Sequence, residues 1–200
     1  MSVDIDVLIL RKDLPKAMAR LGRKGFHVSV IEPYTVTMIR KGVIVDLYTY
    51  PSFGWTVYID GEELLRNHAE EIKVDGLLVN AISKEAEVVV TASHAAYKEH
   101  IYLLADHYVL RKWGSRRSIQ LAEELGVLNS LKLCLGLSKL AEEGLVELPY
   151  KIPPGIALKT MTDKLIHDPV FRASSLNIAK YIMSRRGGRA IYSRLTRRTY

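Results

Sequence analysis

The hydrophobic pattern of this chain changes near residue 83, and that change constrains the fold more than any other feature. Before it, short runs rich in Val, Ile, Thr and Tyr predict strands, with one amphipathic helix between the first two. After it, apolar residues recur at helical spacing. Strands followed by helices predict an α+β chain, with a mixed β-sheet core over residues 1–82 and a helical C-terminal domain over residues 83–200.

Capping and turn residues place the individual elements. Asp13 is a suitable N-cap and Gly25 a suitable end for the first helix, Lys41-Gly42 predicts a hairpin turn, and Asp75-Gly76 interrupts a β segment. The predicted strands lie at residues 3–10, 26–31, 35–40, 43–50, 56–59 and 70–80. The predicted helices lie at residues 13–24, 61–67, 83–100, 101–113, 118–125, 128–143, 157–167 and 174–184.

Two acids alternate with apolar residues at the start of the first strand. Because side chains alternate across a strand, Asp4 and Asp6 lie on one face, about 6–7 Å apart. A third acid, Asp46, has a similar apolar setting, and if its strand pairs with the first, the three carboxylates converge. Hard oxygen ligands of this kind suit Mg²⁺ or Mn²⁺. The alternative is that the acids merely mark the solvated start of a strand.

These residues resemble the motifs of the polymerase-β-like nucleotidyltransferase superfamily. Asp4-Ile5-Asp6-Val7 is similar to its paired-acid motif, with Ser2 just ahead, and Val45-Asp46-Leu47 is similar to its third-carboxylate motif. The resemblance covers about residues 2–112, and its helical part, residues 85–106, looks like that of uncharacterised archaeal and bacterial members. It implies a nucleotidyltransferase-like sheet and an NTP as donor. It also implies Mg²⁺ or Mn²⁺ held by three catalytic, metal-binding acids: Asp4, Asp6 and Asp46.

One motif of that superfamily is not among the residues before Asp4. The superfamily places a Gly-Ser or Gly-Gly turn at a helix start upstream of the first acid, where backbone N–H groups bind the nucleotide phosphates. Only three residues precede Asp4 in this sequence. Three alternatives stay open: a translation start upstream of Met1, loss of catalysis, or a partner that supplies the missing part.

The same resemblance suggests further nucleotide-binding residues. Its helical region carries a His, a basic residue and then an Asp, which here are His94, Lys98 and Asp106. His94 and Lys98 are four residues apart and share a face of the predicted helix, from which they could bind a triphosphate. Alternatively, they are a core histidine and a surface cation. Tyr48, two residues after Asp46, could stack on a base or sugar, or could belong to an aromatic cover over the core.

The net charge of +7 is concentrated in the C-terminal part of the chain. Residues 172–200 hold eight basic residues and no acid, so residues 1–171 carry a net charge of −1. Such a tail suits a phosphate-rich partner such as RNA, bound through Arg185, Arg186, Arg189, Arg194, Arg197 and Arg198. Alternatively, these arginines pair with acids of the body, among them Glu123, Glu124, Glu142 and Glu143.

Residues 118–148 resemble a winged-helix core, with a helix, a turn around Gly126, a second helix and an apolar strand. A second helix that reads DNA exposes polar and basic side chains to the major groove. Here that helix offers only Lys132, Ser138 and Lys139 among leucines. We therefore interpret the segment as helical packing.

Composition excludes several classes of protein. Hydrophobic residues at 48% and charged residues at 26% exclude a disordered or collagen-like chain, and the single Cys134 excludes an internal disulfide or a multi-cysteine metal site. No apolar run is long enough to cross a membrane and no basic region precedes the first one, which predicts a cytoplasmic protein. One Gln and four Asn suggest a thermophilic source.

The sequence thus predicts a Mg²⁺-dependent nucleotidyltransferase that transfers a nucleotidyl group from an NTP to an acceptor. The alternative is a catalytically inactive binding module on the same fold, which holds nucleic acid, a protein partner or a second copy of the chain. A winged-helix regulator is the third hypothesis. Dependence on a divalent cation separates the first hypothesis from the other two.

Overall fold

The computed structural model describes residues 3–184 and 187 and has an α+β fold, as the sequence predicts. Its contacts divide the chain into two compact units. Of the described residues, those up to Pro51 and Asp60–Ser83 form the first unit, while Ser52–Ile59 and those from Lys84 onward form the second. The second unit therefore includes a loop that a division at residue 82 assigns to the first.

The described residues form the following elements in chain order. The strands are β1 (Val3–Leu8), β2 (His27–Ile31), β3 (Thr35–Arg40), β4 (Val43–Tyr48), β5 (Ser52–Phe53), β6 (Thr56–Val57), β7 (Ala69–Val74), β8 (Leu77–Ile82), β9 (Ile101–Tyr102) and β10 (Tyr150–Lys151). The helices are α1 (Leu14–Arg23), α2 (Gly61–Asn67), α3 (Lys84–Ser93), α4 (Leu104–Trp113), α5 (Arg116–Glu124), α6 (Leu128–Glu142), α7 (Pro154–His167), α8 (Pro169–Ser175) and α9 (Asn177–Met183). None of these helices combines the length and the apolar character that a membrane span needs.

A mixed four-stranded sheet in the order β1-β4-β3-β2 forms the centre of the first unit. β4 pairs in parallel with β1 and antiparallel with β3, so it is an inner strand with a neighbour on each side. Lys41 and Gly42 join β3 to β4, and both have positive φ, at 47° and 81°, as a two-residue hairpin requires. The predicted mixed sheet and the predicted hairpin turn are confirmed.

Alternation along β3 and β4 gives this sheet one apolar face and one polar face. Four buried side chains of the two strands pack together on the apolar face: Val36, Met38, Val45 and Leu47. Helix α1 covers them with its own apolar side chains, Leu14, Ala17, Met18 and Leu21. Thr37 and Asp46, which are paired between these positions, therefore lie on the opposite face.

Helix α2 and the hairpin of β7 and β8 complete the first unit. Asp60 caps α2, because its carboxylate accepts hydrogen bonds from two backbone N–H groups of the first turn at 2.9 and 3.2 Å. Gly61 is required at the start of this helix, since a Cβ there would collide with the carbonyl oxygen of Thr49. In the hairpin, Asp75 and Gly76 form a two-residue turn with positive φ at both positions.

Helix α3 is the buried centre of the second unit. It buries Ala86, Val88, Val89, Ala92 and Ser93, and α4, α5 and α6 pack around it. The Oγ atoms of Ser93 and of Ser130 on α6 are 3.1 Å apart, and the Ser130 hydroxyl donates to the carbonyl of Val127 at 2.7 Å. These buried hydroxyls are therefore satisfied within the helical packing.

Helix α6 packs with its own buried face, which confirms the interpretation of residues 118–148 as helical packing. That face comprises Ser130, Leu131, Cys134, Leu137 and Ser138. In place of a winged-helix strand after α6, the connection to α7 contributes β10, which pairs antiparallel with β9.

Several predicted elements differ from the structure, and three of the differences concern helix ends. Asp13 occupies the N-cap position of α1 without a side-chain capping bond, because its backbone is αR rather than the extended form that capping needs. The helix predicted at residues 101–113 begins only at Leu104, since β9 precedes it. The helix predicted at residues 174–184 is divided into α8 and α9 at Leu176.

Lys164 of α7 is a buried cation, with 1% of its side chain exposed. Its Nζ donates to the carbonyl oxygen of Gly126 at 3.0 Å and to Asp168 Oδ2 at 2.6 Å. The same Nζ lies 5.9 Å from the ring centre of Tyr97 and 5.8 Å from that of Phe171. Burial lowers the pKa of Lys164 below the ordinary value of 10.5, and the hydrogen bond and charge of Asp168 oppose that shift.

The same ion pair connects several elements of the second unit. Asp168 accepts from Lys164 through Oδ2 and caps α8 through Oδ1, which accepts the backbone N–H of Phe171 at 2.9 Å. Helix α8 in turn supplies Ser174, whose Oγ accepts the backbone N–H of Val57 on β6 at 3.1 Å. One ion pair thus fixes α7 against the turn before α6 and sets the start of α8.

We expect Asp168→Asn to lower the free energy of unfolding by about 3–5 kcal/mol at neutral pH. Asparagine still caps α8, but it leaves the buried Lys164 ammonium without a counter-charge. The double change Lys164→Met and Asp168→Asn should restore most of the stability, because no buried charge remains. Urea unfolding followed by circular dichroism measures both effects, and an equal loss in the two variants would contradict the role of the charge.

The pH dependence gives a second readout of the same pair. When the folded-state pKa of a lysine is lowered, the unfolded chain binds more protons above that pKa, so stability rises with pH. The Asp168→Asn variant should therefore gain stability as the pH rises from neutral towards 10.5, the ordinary lysine pKa. The double variant lacks the amine and should not show this gain.

Candidate functional site: three carboxylates on one sheet face

Three carboxylates lie on the polar face of the sheet in the first unit. Asp6 of β1 and Asp46 of β4 are paired in the parallel register, and Asp4 precedes Asp6 by two residues. Residues paired in this way lie on the same face, and neighbouring strands are about 4.8 Å apart. The pairing of the two acidic strands, on which a convergence of the three carboxylates depends, is thus present in the structure.

Thr37 of β3 holds the Asp46 carboxylate from the other side of β4. The two residues are paired across antiparallel strands, and Thr37 Oγ1 donates a 2.5 Å hydrogen bond to Asp46 Oδ1. The hydroxyl of Thr37 occupies Oδ1 of Asp46. A metal ion or substrate that approaches Asp46 would therefore compete less with Thr37 at Oδ2.

Sequence reasoning did not single out Thr37, although the sequence contains a signal for this contact. The two-residue turn Lys41-Gly42 sets the register of the hairpin, and that register brings residue 37 opposite residue 46. A threonine opposite an acid is a hydrogen-bonding pair that this register predicts.

The carboxylates share a face, but they do not gather into a ligand cluster. Within residues 3–184 and 187, no group of three or more His, Cys, Asp or Glu side chains is arranged to hold a metal ion. Asp4 and Asp6 are exposed on the edge strand, and Asp46 is half-buried on an inner strand. Hard oxygen donors on one face suit Mg²⁺ or Mn²⁺.

Aromatic side chains follow Asp46 along the chain. Tyr48 lies on the same face of β4 as Asp46 and is half-buried. Tyr34 and Tyr50, at the same end of the hairpin, pack edge to face with ring centres 5.8 Å apart. This arrangement is compatible with both alternatives for Tyr48: a ring on which a base or sugar stacks, and part of an aromatic cover over the sheet.

His94 and Lys98 lie in the second unit, on a π-helical turn, His94–Glu99, that continues α3. This turn ends at His100, whose φ is +55°. His94 Nε2 lies 4.0 Å from Glu99 Oε1, an ion pair when the histidine is protonated. Lys98 is half-buried. The α-helical spacing predicted Lys98 beside His94 and did not predict the contact with Glu99.

Asp106, the third residue of that helical motif, caps α4. Its Oδ2 accepts the backbone N–H of Leu103 at 2.8 Å. Burial raises the pKa of this carboxyl to about 6, the bond from Leu103 opposes the shift, and the charge of Glu99 adds to it. The neighbouring His107 places Nδ1 3.0 Å from Ser138 Oγ of α6. The first contact closes the start of α4, and the second joins α4 to α6.

The arginines of the predicted RNA-binding tail lie outside the described residues: Arg185, Arg186, Arg189, Arg194, Arg197 and Arg198. Two of the acids considered as their partners have a cation close by in the described part of the chain. Glu142 Oε1 is 2.6 Å from Arg111 Nε, and Glu143 Oε1 is 3.8 Å from Lys139 Nζ.

Comparison with known proteins identifies a family. Residues 1–141 match the model of a family described as uncharacterised nucleotidyltransferase. The matched part includes the acidic strands β1 and β4, the π-helical turn and the helices up to most of α6. No curated protein and no solved structure matches the chain.

We expect Asp6→Asn to stabilise the metal-free chain, because it relieves the repulsion between the carboxylates of Asp6 and Asp46. Like charges opposite each other on neighbouring strands are destabilising, by about 0.2–1 kcal/mol, and Asp6 is paired with Asp46. Thermal unfolding in EDTA at low salt should show a higher Tm for the variant, and added salt should reduce the gain. Glu71→Gln is the matched control, because Glu71 is paired with Asn80. An equal gain in both variants would exclude repulsion as the cause.

Proposed function

We propose that this chain is a Mg²⁺-dependent nucleotidyltransferase that uses an NTP as donor; it belongs to the uncharacterised nucleotidyltransferase family, whose model matches residues 1–141 of its 200 residues. Membership of this family supports nucleotidyl transfer as the general chemistry. The observation that carries the finer proposal is the parallel register that sets Asp6 beside Asp46, with Asp4 on the same face.

In the proposed reaction, an acceptor hydroxyl attacks the α-phosphate of the NTP. Asp46 accepts the hydroxyl proton as the new oxygen–phosphorus bond forms, and pyrophosphate leaves as its bond to the α-phosphate breaks. A bound Mg²⁺ or Mn²⁺ would neutralise charge on the phosphate oxygens. The residues that would hold it through oxygen ligands are Asp4, Asp6 and Asp46.

Thr37 is a positioning residue in this proposal. Its hydrogen bond fixes the orientation of the Asp46 carboxylate on the inner strand, while Asp4 and Asp6 lie exposed on the edge strand. A ligand that is already oriented lowers the ordering cost of assembling the site.

Further contacts in the proposal follow the resemblance. Tyr48, on the same face as Asp46, would contact the base or sugar, and His94 and Lys98 would contact phosphate. The π-helical turn that carries His94 and Lys98 supports their assignment, because such turns are rare and frequently occur at functional sites. The acceptor would be RNA or another phosphate-rich molecule held by the basic tail.

A catalytically inactive binding module on the same fold is the second candidate, with nucleic acid or a protein as its partner. The observation that favours it is that the described side chains do not form a three-ligand metal group. The two candidates differ in metal dependence, which one experiment measures.

Mg²⁺ or Mn²⁺ should raise the Tm of the wild-type chain if the three acids bind the metal ion. A ligand at about 100 times its Kd adds about 2.7 kcal/mol to the free energy of unfolding. The double change Asp4→Asn and Asp6→Asn should abolish the rise. The control Glu70→Gln and Glu71→Gln, which removes two exposed acids from β7, should retain it.

The same two double variants should also differ in catalytic activity. Wild type and control should release pyrophosphate from an NTP and transfer its labelled α-phosphate to an RNA acceptor, and the Asp4, Asp6 double variant should not. A wild-type melting curve that metal leaves unchanged, together with no transfer, would favour the inactive module.

Thr37→Val should weaken Mn²⁺ binding by about tenfold, because loss of a hydrogen bond that orients a ligand typically has an effect of this size. Thr37→Ser keeps the hydroxyl and should bind as the wild type does. Titration followed by the Mn²⁺ electron paramagnetic resonance signal measures the affinity without activity. Wild-type affinity in Thr37→Val would show that Thr37 does not position Asp46.

A further inference from the structure

Four cations lie at the junction of α4 and α5 in the second unit. We name this set the cationic corner: Arg111, Lys112, Arg116 and Arg117. All four are exposed, and only Trp113, Gly114 and Ser115 separate the two pairs in sequence. The corner is therefore a compact surface feature. Sequence reasoning, which placed the positive charge in residues 172–200, did not predict it.

The sequence around the corner contains no acid. From residue 107 to residue 122 there is no Asp or Glu, so this stretch carries a net charge of +4. The rest of residues 1–171 carries a net charge of −5. The corner thus belongs to a positively charged stretch within a part of the chain that is otherwise acidic, and a concentration of exposed cations attracts polyanions.

Two of these cations occupy positions that cost stability. Arg116 and Arg117 are the first two residues of α5, directly after its N-cap, Ser115. A helix N-terminus carries a partial positive charge, so cations there are destabilising. Among the described residues, neither arginine forms an ion pair. A bound anion would remove this repulsion.

The other two cations are held in place by their neighbours. Arg111 Nε pairs with Glu142 Oε1 of α6 at 2.6 Å. Lys112 Nζ lies 5.1 Å from the ring centre of Tyr108 and 5.2 Å from that of Trp113. Tyr108 is 59% exposed, so an aromatic surface adjoins the cations.

We propose that the cationic corner binds single-stranded nucleic acid. The arginine forks contact backbone phosphates, and Tyr108 offers a ring on which a base stacks. Exposed cations beside an accessible aromatic ring are the combination that binds single strands without sequence preference. This binding needs no metal and does not depend on nucleotidyl transfer.

The test compares two variants that remove the same charge from the full-length chain. Arg116→Ala with Arg117→Ala alters the corner, and Lys132→Ala with Lys159→Ala removes two exposed lysines elsewhere in the second unit. The probe is a fluorescent oligouridine of about 20 nucleotides, titrated in EDTA at about 50 mM and about 200 mM salt. Both variants keep the basic tail, so its contribution cancels.

The corner variant should lose affinity at the lower salt concentration by at least about tenfold, and its slope of log K against log salt should flatten by about 1.4. The lysine control should stay close to the wild type. Equal weakening in both variants, or no weakening in the corner variant, would overturn the proposal. Loss of binding to phosphatidylserine vesicles with unchanged RNA binding would also overturn it and would assign the corner to a membrane.

Two further measurements separate binding from a structural role. Removing cations from the start of α5 should leave the Tm unchanged or raise it, whereas a fall in Tm would show that the arginines stabilise the fold. Tyr108→Ala should weaken binding to the single strand more than to a duplex of the same length, because a duplex offers no unstacked base. Equal effects on both probes would overturn the stacking contact.

Discussion

The register of β4 is the constraint on which both the sheet and the candidate site depend. Val45 and Leu47 are buried on one face, which holds Asp46 on the other. A slip of one residue would expose both apolar side chains and bury the carboxylate, at a cost of about 1.5–3 kcal/mol for each apolar side chain. The burial that fixes the core therefore also positions the carboxylate. Because β4 is an inner strand, the same constraint positions Asp6 on one neighbour and Thr37 on the other.

Much of this arrangement is local and could be predicted from the sequence. Alternation predicts the shared face of Asp4 and Asp6, and Lys41-Gly42 predicts the hairpin that sets Thr37 opposite Asp46. The parallel pairing of β1 with β4 is different, because it joins residues about 40 positions apart in the chain and no local pattern specifies it. Sequence reasoning therefore left this pairing as a condition for the site, and the structure shows that the condition is met.

In the second unit, the local sequence pattern does not suffice to predict two features of the structure. Lys164 has the sequence context of a helix-surface lysine, yet it is buried, because the Gly126 carbonyl and Asp168 together satisfy its ammonium. Helical spacing likewise predicts an α-helix through His94, where the structure has a wider turn that brings His94 near Glu99. Both outcomes depend on partners that only tertiary packing brings together, and neither leaves a signature in the hydrophobic period.

The charged residues of this chain fall into two energetic classes. Lys164 is buried, and a buried charge without a partner would cost several kcal/mol, so its compensation by Asp168 makes a large contribution to stability. Asp6 opposite Asp46, and Arg116 with Arg117 at the start of α5, are exposed or half-buried and oppose their surroundings by only about 0.2–1 kcal/mol. A stable fold tolerates costs of that size. Each is a repulsion that a ligand of opposite charge would remove: in our proposals, a divalent cation at the sheet and a polyanion at the corner. Small charge repulsions, rather than the strong internal ion pair, are therefore the features on which the two binding proposals rest.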